Sequence, residues 1–244
     1  ATHSSAGALV DASEGVDNAI RIYRALLDDD GEDEDTLLEL THCLFSSAHI
    51  AKEMGDLRAA VAVSEEALAH VRDASARHDS NLWLANAHAE AHMRAAFRKE
   101  DLGATAEAQE HCRQAEALAR RTTAKDDSFG AAWRNLIWAR LLQGRILRKA
   151  GDFDGEEAIH AEVLRMARKN AEAGTEAGRD LLAVVLSDIG DAALEAGDTE
   201  RADEMFEEST AIFRAVAEAN PTDIDARKRL VGGIARVGNV AVNK

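Results

Sequence analysis

Two histidines one helical turn apart, His88 and His92, come nearest in this sequence to the spacing of a metal site. Imidazoles at positions i and i+4 share one face of a helix and can bind the same transition-metal ion. A zinc-protease helix needs a glutamate directly after the first histidine, whereas Glu90 falls on nearly the opposite face. Since the sequence names no third ligand, we predict no metal and no other cofactor.

Three other patterns lack a part that their chemistry requires. His42 and Cys43 are adjacent, so on a helix their side chains point in different directions and cannot form a nucleophile and base pair. The segment 233–238 has the glycine spacing of a phosphate loop, but Asn239 replaces the required lysine. The acidic run 28–35 lacks the ligand order of a calcium loop and predicts a solvated loop. We therefore predict that the chain is not an enzyme.

Net charge argues against two classes of partner. The 244 residues carry 45 acidic and 29 basic side chains, a formal charge of −16. Such a surface repels phosphate backbones and anionic lipid headgroups, which argues against nucleic-acid and membrane binding. No run approaches the roughly 20 apolar residues of a membrane span. We expect a cytoplasmic protein.

Composition and glycine spacing predict the elements that position these side chains. Aromatic residues make up 4% and there is one proline, which together with abundant alanine favours helices over strands. Gly55, Gly103, Gly151 and Gly197 lie 48, 48 and 46 residues apart, each between two apolar stretches. Regular spacing in this range is typical of stacked helix pairs. The predicted helices span about residues 6–27, 36–54, 56–77, 80–102, 104–122, 128–150, 153–173, 177–196, 199–219 and 223–241.

These helices predict one elongated all-α domain over residues 1–244. It comprises an incomplete first repeat with the acidic loop, four helix-pair repeats and a capping or truncated last helix. The incomplete first repeat with the acidic loop spans residues 1–35. The four helix-pair repeats span 36–79, 80–127, 128–176 and 177–221, and the last helix spans 222–244. We expect the chain to be a fragment of a larger protein. An exposed apolar last helix would also allow a homodimer through the terminal helices.

Each of the four turns combines a helix stop with a helix start. Glycine suits the left-handed residue that ends a helix, and an aspartate directly after it can cap the next helix. Asp56, Asp152 and Asp198 occupy that place, and Ala104 occupies it in the second turn. After Gly55 and Gly103, small residues recur at the same three offsets, where two helices must approach closely. These are Ala60, Ser64 and Ala67, and Ala108, Cys112 and Ala115.

The segment 186–198, Leu-Ser-Asp-Ile-Gly-Asp-Ala-Ala-Leu-Glu-Ala-Gly-Asp, resembles the tetratricopeptide repeat, and residues 234–239 repeat the start of that motif. The resemblance implies a right-handed superhelical solenoid of antiparallel helix pairs, with about nine to ten helices. The family unit is about 34 residues, so a period near 48 implies longer helices. Units of this length are similar to repeat arrays appended to bacterial signalling proteins.

The resemblance also implies a binding groove, because the first helix of each family pair faces the concave side. The residues of this sequence at the family's contact positions include His42, Phe45, His49, Glu90, Met93, Phe97, Trp138, Leu141, Arg145, Arg148, Lys149, Ser187 and Asp191. Phe45, Met93, Phe97, Trp138 and Leu141 are of the types that anchor a partner's helix or peptide.

Three cations, Arg145, Arg148 and Lys149, form a local positive cluster in an acidic chain. The arginine fork can hold a carboxylate or phosphate, so an acidic peptide suits this cluster. Alternatively, these cations pair with the acidic residues at 152–157. We predict a protein-interaction module that binds a partner protein or peptide, in a larger bacterial signalling or effector protein. A regulatory receptor for a peptide or small ligand is the second hypothesis, and a metal-dependent enzyme using His88 and His92 is the third.

Overall fold

Every element of the described chain is an α-helix. The computed structural model describes residues 2–30 and 33–243, and within these ranges it contains ten helices and no strand. They are α1 (Thr2–Asp30), α2 (Glu34–Glu53), α3 (Leu57–Arg77), α4 (Leu82–Asp101), α5 (Thr105–Lys125), α6 (Gly130–Lys149), α7 (Phe153–Glu172), α8 (Glu176–Glu195), α9 (Thr199–Ala219) and α10 (Ile224–Asn243). This confirms the predicted all-α fold and its number of helices. Across these same residues, no helix is both long enough and apolar enough to span a membrane.

One boundary differs from the prediction. Residues 28–30 were expected to open a solvated loop, but they form the last turn of α1. Leu27, one residue earlier, packs against the core of the first helices, and extending an existing helix adds one hydrogen bond per residue fixed. The next two residues lie outside the described part of the chain. Asp33 then caps α2 by accepting a hydrogen bond from the backbone N–H of Thr36 at 2.8 Å.

The four predicted turn glycines all have left-handed backbones. Their φ angles are 85° at Gly55, 75° at Gly103, 83° at Gly151 and 81° at Gly197. At the first of these turns, the N–H of Asp56 bonds to the carbonyl of Ala51 at 2.9 Å, which closes the end of α2. A three-residue turn of this kind makes α2 and α3 antiparallel neighbours.

Aspartate caps three of the helices that follow these turns. Asp56 accepts from the N–H of Ala59 at 2.9 Å, and Asp198 accepts from that of Arg201 at 3.1 Å. Asp152 makes the same bond to Gly155. Ala104 has a similar backbone conformation at the start of α5 but no side-chain oxygen with which to cap. The predicted combination of stop and start signals is therefore confirmed at three of the four turns.

The chain divides into two compact units, residues 1–150 with α1 to α6 and residues 151–244 with α7 to α10. In the first unit, α2 packs against α4 and α4 against α6, while α3 and α5 each pack against α4. The first helices of the successive pairs thus form one layer, and α3 and α5 lie on the other side of α4. We call the exposed surface of α2, α4 and α6 the first-helix face.

Small side chains allow the close packing of the first unit. Ala60, Ala67, Ala108, Cys112 and Ala115 are all fully buried. Together with Ser64, which is also buried, they are the positions predicted for close helix approach. Larger side chains, including Leu40, Leu44 and Leu84, complete the core between them.

In the second unit, a glycine allows two helices to pack closely. A Cβ atom on Gly190 of α8 would lie 2.6 Å from Cε1 of Phe206, so the ring of this α9 residue packs directly on the α8 backbone. Phe206 is 1% exposed. Close by, the hydroxyls of Ser187 and Ser209 are hydrogen-bonded at 2.7 Å. Gly190 belongs to the segment 186–198 that resembles the tetratricopeptide motif, and Phe206 follows that segment in α9.

Candidate partner-binding face

A buried amide pair fixes the register of the first-helix face. Asn135 on α6 is fully buried, and its Nδ2 donates to Oδ1 of Asn86 on α4 at 2.9 Å and to the Asn86 carbonyl at 3.2 Å. An unpaired amide in this position would lose its hydrogen bonds to water without replacement. The pair therefore disfavours sliding of α4 against α6, and the side chains on their exposed surfaces keep fixed neighbours.

The first group of predicted residues surrounds an open cavity between α2 and α4. The cavity has a volume of about 470 Å³, and its lining includes His42, Phe45, His49 and Glu90. Arg94 completes it, with its guanidinium carbon 4.5 Å from the centre of the Phe45 ring. This is a cation–π arrangement. The same guanidinium donates to Glu90 from Nε at 2.9 Å and from Nη2 at 2.7 Å.

The second group lies between α4 and α6. The half-buried rings of Phe97 and Trp138 meet edge to face, with their centres 6.4 Å apart. The guanidinium of Arg145 lies over Phe97 at 5.4 Å and 3.8 Å from Glu100, which also pairs with Lys149. Glu100 on α4 is thus the partner that the structure gives to both cations. The alternative given from the sequence was that these cations pair with acidic residues at 152–157.

The charges on this face form two layers, with nearly buried carboxylates beneath exposed cations. The side chains of Glu90 and Glu100 are only 11% and 10% exposed. The cations that pair with them are much more accessible, at 52% for Arg134, 45% for Arg145 and 63% for Lys149. Because the cations of these pairs are open to water, solvent screens their attraction to the carboxylates. The face therefore presents positive charge outward over carboxylates that lie beneath, on a chain that is acidic as a whole.

Other predicted site residues have different surroundings. Met93 and Leu141 are 9% and 3% exposed and pack in the core, so they support the face from below without forming part of its surface. Arg148 is half-buried at the end of α6. Ser187 and Asp191 belong to the second unit, where Ser187 is buried against Ser209 and Asp191 accepts from Nε of Arg236 at 3.1 Å.

Two cations of the face were missed by the sequence reasoning. Arg94 follows Glu90 by four residues, a spacing that places opposite charges side by side on a helix. That signal could have identified it. Arg134 approaches Glu90 from α6, with Nη2 3.8 Å from Oε2. Because this contact joins residues on different helices, no local spacing reveals it.

The histidines at 88 and 92 are joined by a third, His111 of α5. The rings of His88 and His92 are stacked with centres 5.1 Å apart, and Nδ1 of His92 lies 3.0 Å from Nδ1 of His111. Burial, followed by the neighbouring positive charges, lowers the pKa of His88 and of His92 to about 4, and burial also lowers the pKa of His111. No set of three or more His, Cys, Asp or Glu residues with the geometry of a metal site occurs in residues 2–30 and 33–243.

Comparisons with known proteins bear on the fold. No protein-family model and no curated protein sequence matches this chain significantly. Among solved structures, it is similar to BtubC (BKLC) from P. vanneervenii, with a TM-score of 0.61 and 16% identity over 97% of this chain and 92% of that one. It is also similar to TTC0263, a thermophilic TPR protein in Thermus thermophilus, with a TM-score of 0.50 and 18% identity over 95% of this chain and 96% of that one. The chain therefore has a helical-repeat fold like that of tetratricopeptide repeat proteins.

Proposed function

We propose that this chain is a protein-interaction module whose first-helix face binds an acidic segment of a partner protein or peptide. The observation that carries the proposal is the layering of charge. Arg134, Arg145 and Lys149 are exposed above two carboxylates that are themselves nearly buried. A partner carboxylate can therefore reach the cations from the solvent side, where arginine offers paired donors.

Apolar features of the face suit the same kind of partner. The edge of the Phe97 and Trp138 pair and the cavity beside Phe45 lie on the layer that carries the cations. A peptide that alternates acidic and apolar side chains would meet complementary chemistry at both places. Aromatic and arginine residues are also the types that contribute most of the binding energy at protein interfaces.

The sequence resemblance supports a wider setting for the module. Long repeat units of this kind are similar to arrays appended to bacterial signalling proteins. We therefore place the module, as part of the same proposal, in a larger signalling or effector protein of the bacterial cytoplasm. Its contribution there is to hold a partner in place.

The test compares two double variants with the same change of charge. Peptides are selected from a displayed random library against the full chain, and the affinity of the best binder is measured by fluorescence anisotropy. Arg134→Gln with Arg145→Gln should weaken binding about tenfold or more, because each lost charged hydrogen bond costs about 1.5–3 kcal/mol when unreplaced. Arg58→Gln with Arg113→Gln, which changes exposed arginines of α3 and α5, should leave the affinity within about twofold because those residues lie off the face.

Two further readouts distinguish lost binding from lost structure. Helical circular dichroism should be the same in both double variants, since all four side chains are exposed. Binding should also weaken with added salt, as expected for an acidic segment on an exposed basic surface. Equal effects of the two double variants, or selected peptides without acidic residues, would refute the proposal.

A further inference from the structure

A second concave surface lies on the opposite side of α4 from the first-helix face. The C-terminal halves of α3 and α5 enclose a cavity of about 280 Å³ over the first half of α4. We call it the outer cleft. Its polar lining comprises Arg72, Ser75, Asp79, His88, Arg121, Thr122 and Lys125.

The lining is positively charged although the chain is acidic. Arg72, Arg121 and Lys125 contribute three cations against the single carboxylate of Asp79. Lys125 contacts Asp79 through the backbone, its Nζ donating to the carbonyl at 2.6 Å. These cations come from two different helices, because α3 and α5 both line the cavity.

The two arginines have few competing partners. Arg72 pairs with its neighbour Asp73 at 3.0 Å, but both side chains are more than 60% exposed, which makes the pair weak and easily exchanged. Arg121 makes no ion pair or hydrogen bond with any residue that the structure describes. Both guanidinium groups are therefore available to an incoming anion.

The helix dipole and the spacing of charges along a helix explain only part of this cluster of three cations. A cation in the last turn of α5 interacts favourably with the helix dipole, which accounts for Lys125. Arg121 lies four residues earlier, and like charges at that spacing are destabilising by a few tenths of a kcal/mol. Neither effect places Arg72 of α3 at the same cavity. An anion between the three side chains would offset their mutual repulsion.

His88 lies on the α4 side of the cleft, and burial together with the positive charges of Arg72 and Arg121 lowers its pKa. Its Nδ1 lies 2.9 Å from Oγ of Ser75, and its buried Nε2 has no hydrogen-bond partner among the described residues. Burial is the largest cause of its lowered pKa, and the charges of Arg72 and Arg121 follow. Two cations from different helices thus act on the same ring.

Size and geometry select the class of anion. A cavity of about 280 Å³ falls just below the range of roughly 300–1,000 Å³ typical of sites for larger ligands. Cations that approach from two helices suit a tetrahedral group, whose oxygens point in several directions. A lone carboxylate would pair with one arginine fork and leave the other arginine and the lysine without a partner.

We propose that the outer cleft is a binding site for a small phosphate-bearing anion held by Arg72, Arg121 and Lys125. It shares no residue with the first-helix face, so either proposal can fail without the other. Inorganic phosphate and a phosphorylated side chain offer the same chemistry at this site. The experiment therefore includes both.

The test is calorimetric titration of the full chain at constant ionic strength with inorganic phosphate, O-phosphoserine and acetate. Saturable one-to-one binding of phosphate or O-phosphoserine, with little or none of acetate, is the expected result. Tighter binding of inorganic phosphate would identify the free anion as the ligand, and tighter binding of O-phosphoserine would identify a phosphorylated side chain. Arg72→Gln with Arg121→Gln should weaken binding about tenfold or more.

The control is Arg58→Gln with Arg113→Gln, which removes one arginine from each of the same two helices outside the cleft. Its affinity for phosphate should stay within about twofold of the wild type. In the wild-type chain, the ring resonances of His88 should shift as phosphate saturates the cleft. Absence of saturable binding, equal binding of acetate, or equal effects of the two double variants would overturn the proposal.

Discussion

Histidine is the residue type for which the structure changes the chemical interpretation most. His88 and His92 have the spacing of a pair of metal ligands, but they form a stacked pair that contacts His111 of the next helix. Burial is the main reason for the lowered pKa of all three rings. Near neutral pH they are therefore uncharged parts of the packing between α4 and α5.

The lowered pKa values make stability depend on acidity. A histidine whose pKa is about 4 when folded and near 6.5 when unfolded stabilises the fold fully above about pH 6.5. That contribution is lost as the pH falls from 6.5 towards 4. We expect the free energy of unfolding in urea to fall between pH 7 and pH 5, and to fall by about 1 kcal/mol less in His92→Gln.

The control for this prediction is His70→Gln, which replaces a partly exposed histidine of α3. Its dependence on pH should follow that of the wild type. If His92→Gln were as sensitive to acid as the wild type, His92 would not be one of the groups that destabilise the fold at low pH.

At the scale of the element, the turns show what local sequence can specify. The aspartates after Gly55, Gly151 and Gly197 all cap the next helix through the same backbone N–H position. Ala104 follows Gly103 with φ of −80° and ψ of 62°, close to the −90° and 77° of Asp56. The backbone at Ala104 is therefore ready for a cap that its side chain cannot make.

Ala104→Asp should raise the free energy of unfolding by about 1 kcal/mol, the usual contribution of a helix cap. Ala104→Asn should do nearly as much, because the gain comes from the hydrogen bond and not from the added charge. Urea denaturation measures both. Ala117→Asp, at an exposed position in the middle of α5, should instead lower stability by a few tenths of a kcal/mol. No gain at position 104 would show that the start of α5 differs from the capped helices.

At the scale of the whole molecule, both proposed sites lie within one compact unit. The first-helix face and the outer cleft use residues of α2 to α6, all within residues 1–150. Their positions depend on the packing of α4 against four neighbouring helices of that unit. A unit with its own core is expected to fold alone.

We therefore expect a fragment of residues 1–150 to be helical and to unfold cooperatively on heating. It should bind inorganic phosphate within about twofold of the full chain, as a self-contained unit would. Circular dichroism and calorimetry provide the two measurements. A fragment without cooperative unfolding would show that residues 151–244 are needed for the fold of the first unit.

The sequence by itself determined the features that depend on neighbouring residues. The helices, the left-handed glycines, the three aspartate caps at the four turns and the small residues at close helix contacts follow from propensity, backbone sterics and side-chain volume. These effects act over a few residues, so a single chain displays them directly. The last turn of α1 was missed because packing around Leu27 outweighed the repulsion within the acidic run.

Only the tertiary structure decided which charges meet. Glu100 lies beneath Arg145 and Lys149, and Arg134 approaches Glu90, across distances of 44 to 49 residues in sequence. Arg72 and Arg121 converge on one cleft across a similar distance. When two charged residues lie on different helices, their separation in the sequence does not indicate whether they are in contact. Their neighbours are set by how the helices pack, so the fold could be predicted from the sequence whereas the pairing of charges on its surfaces could not.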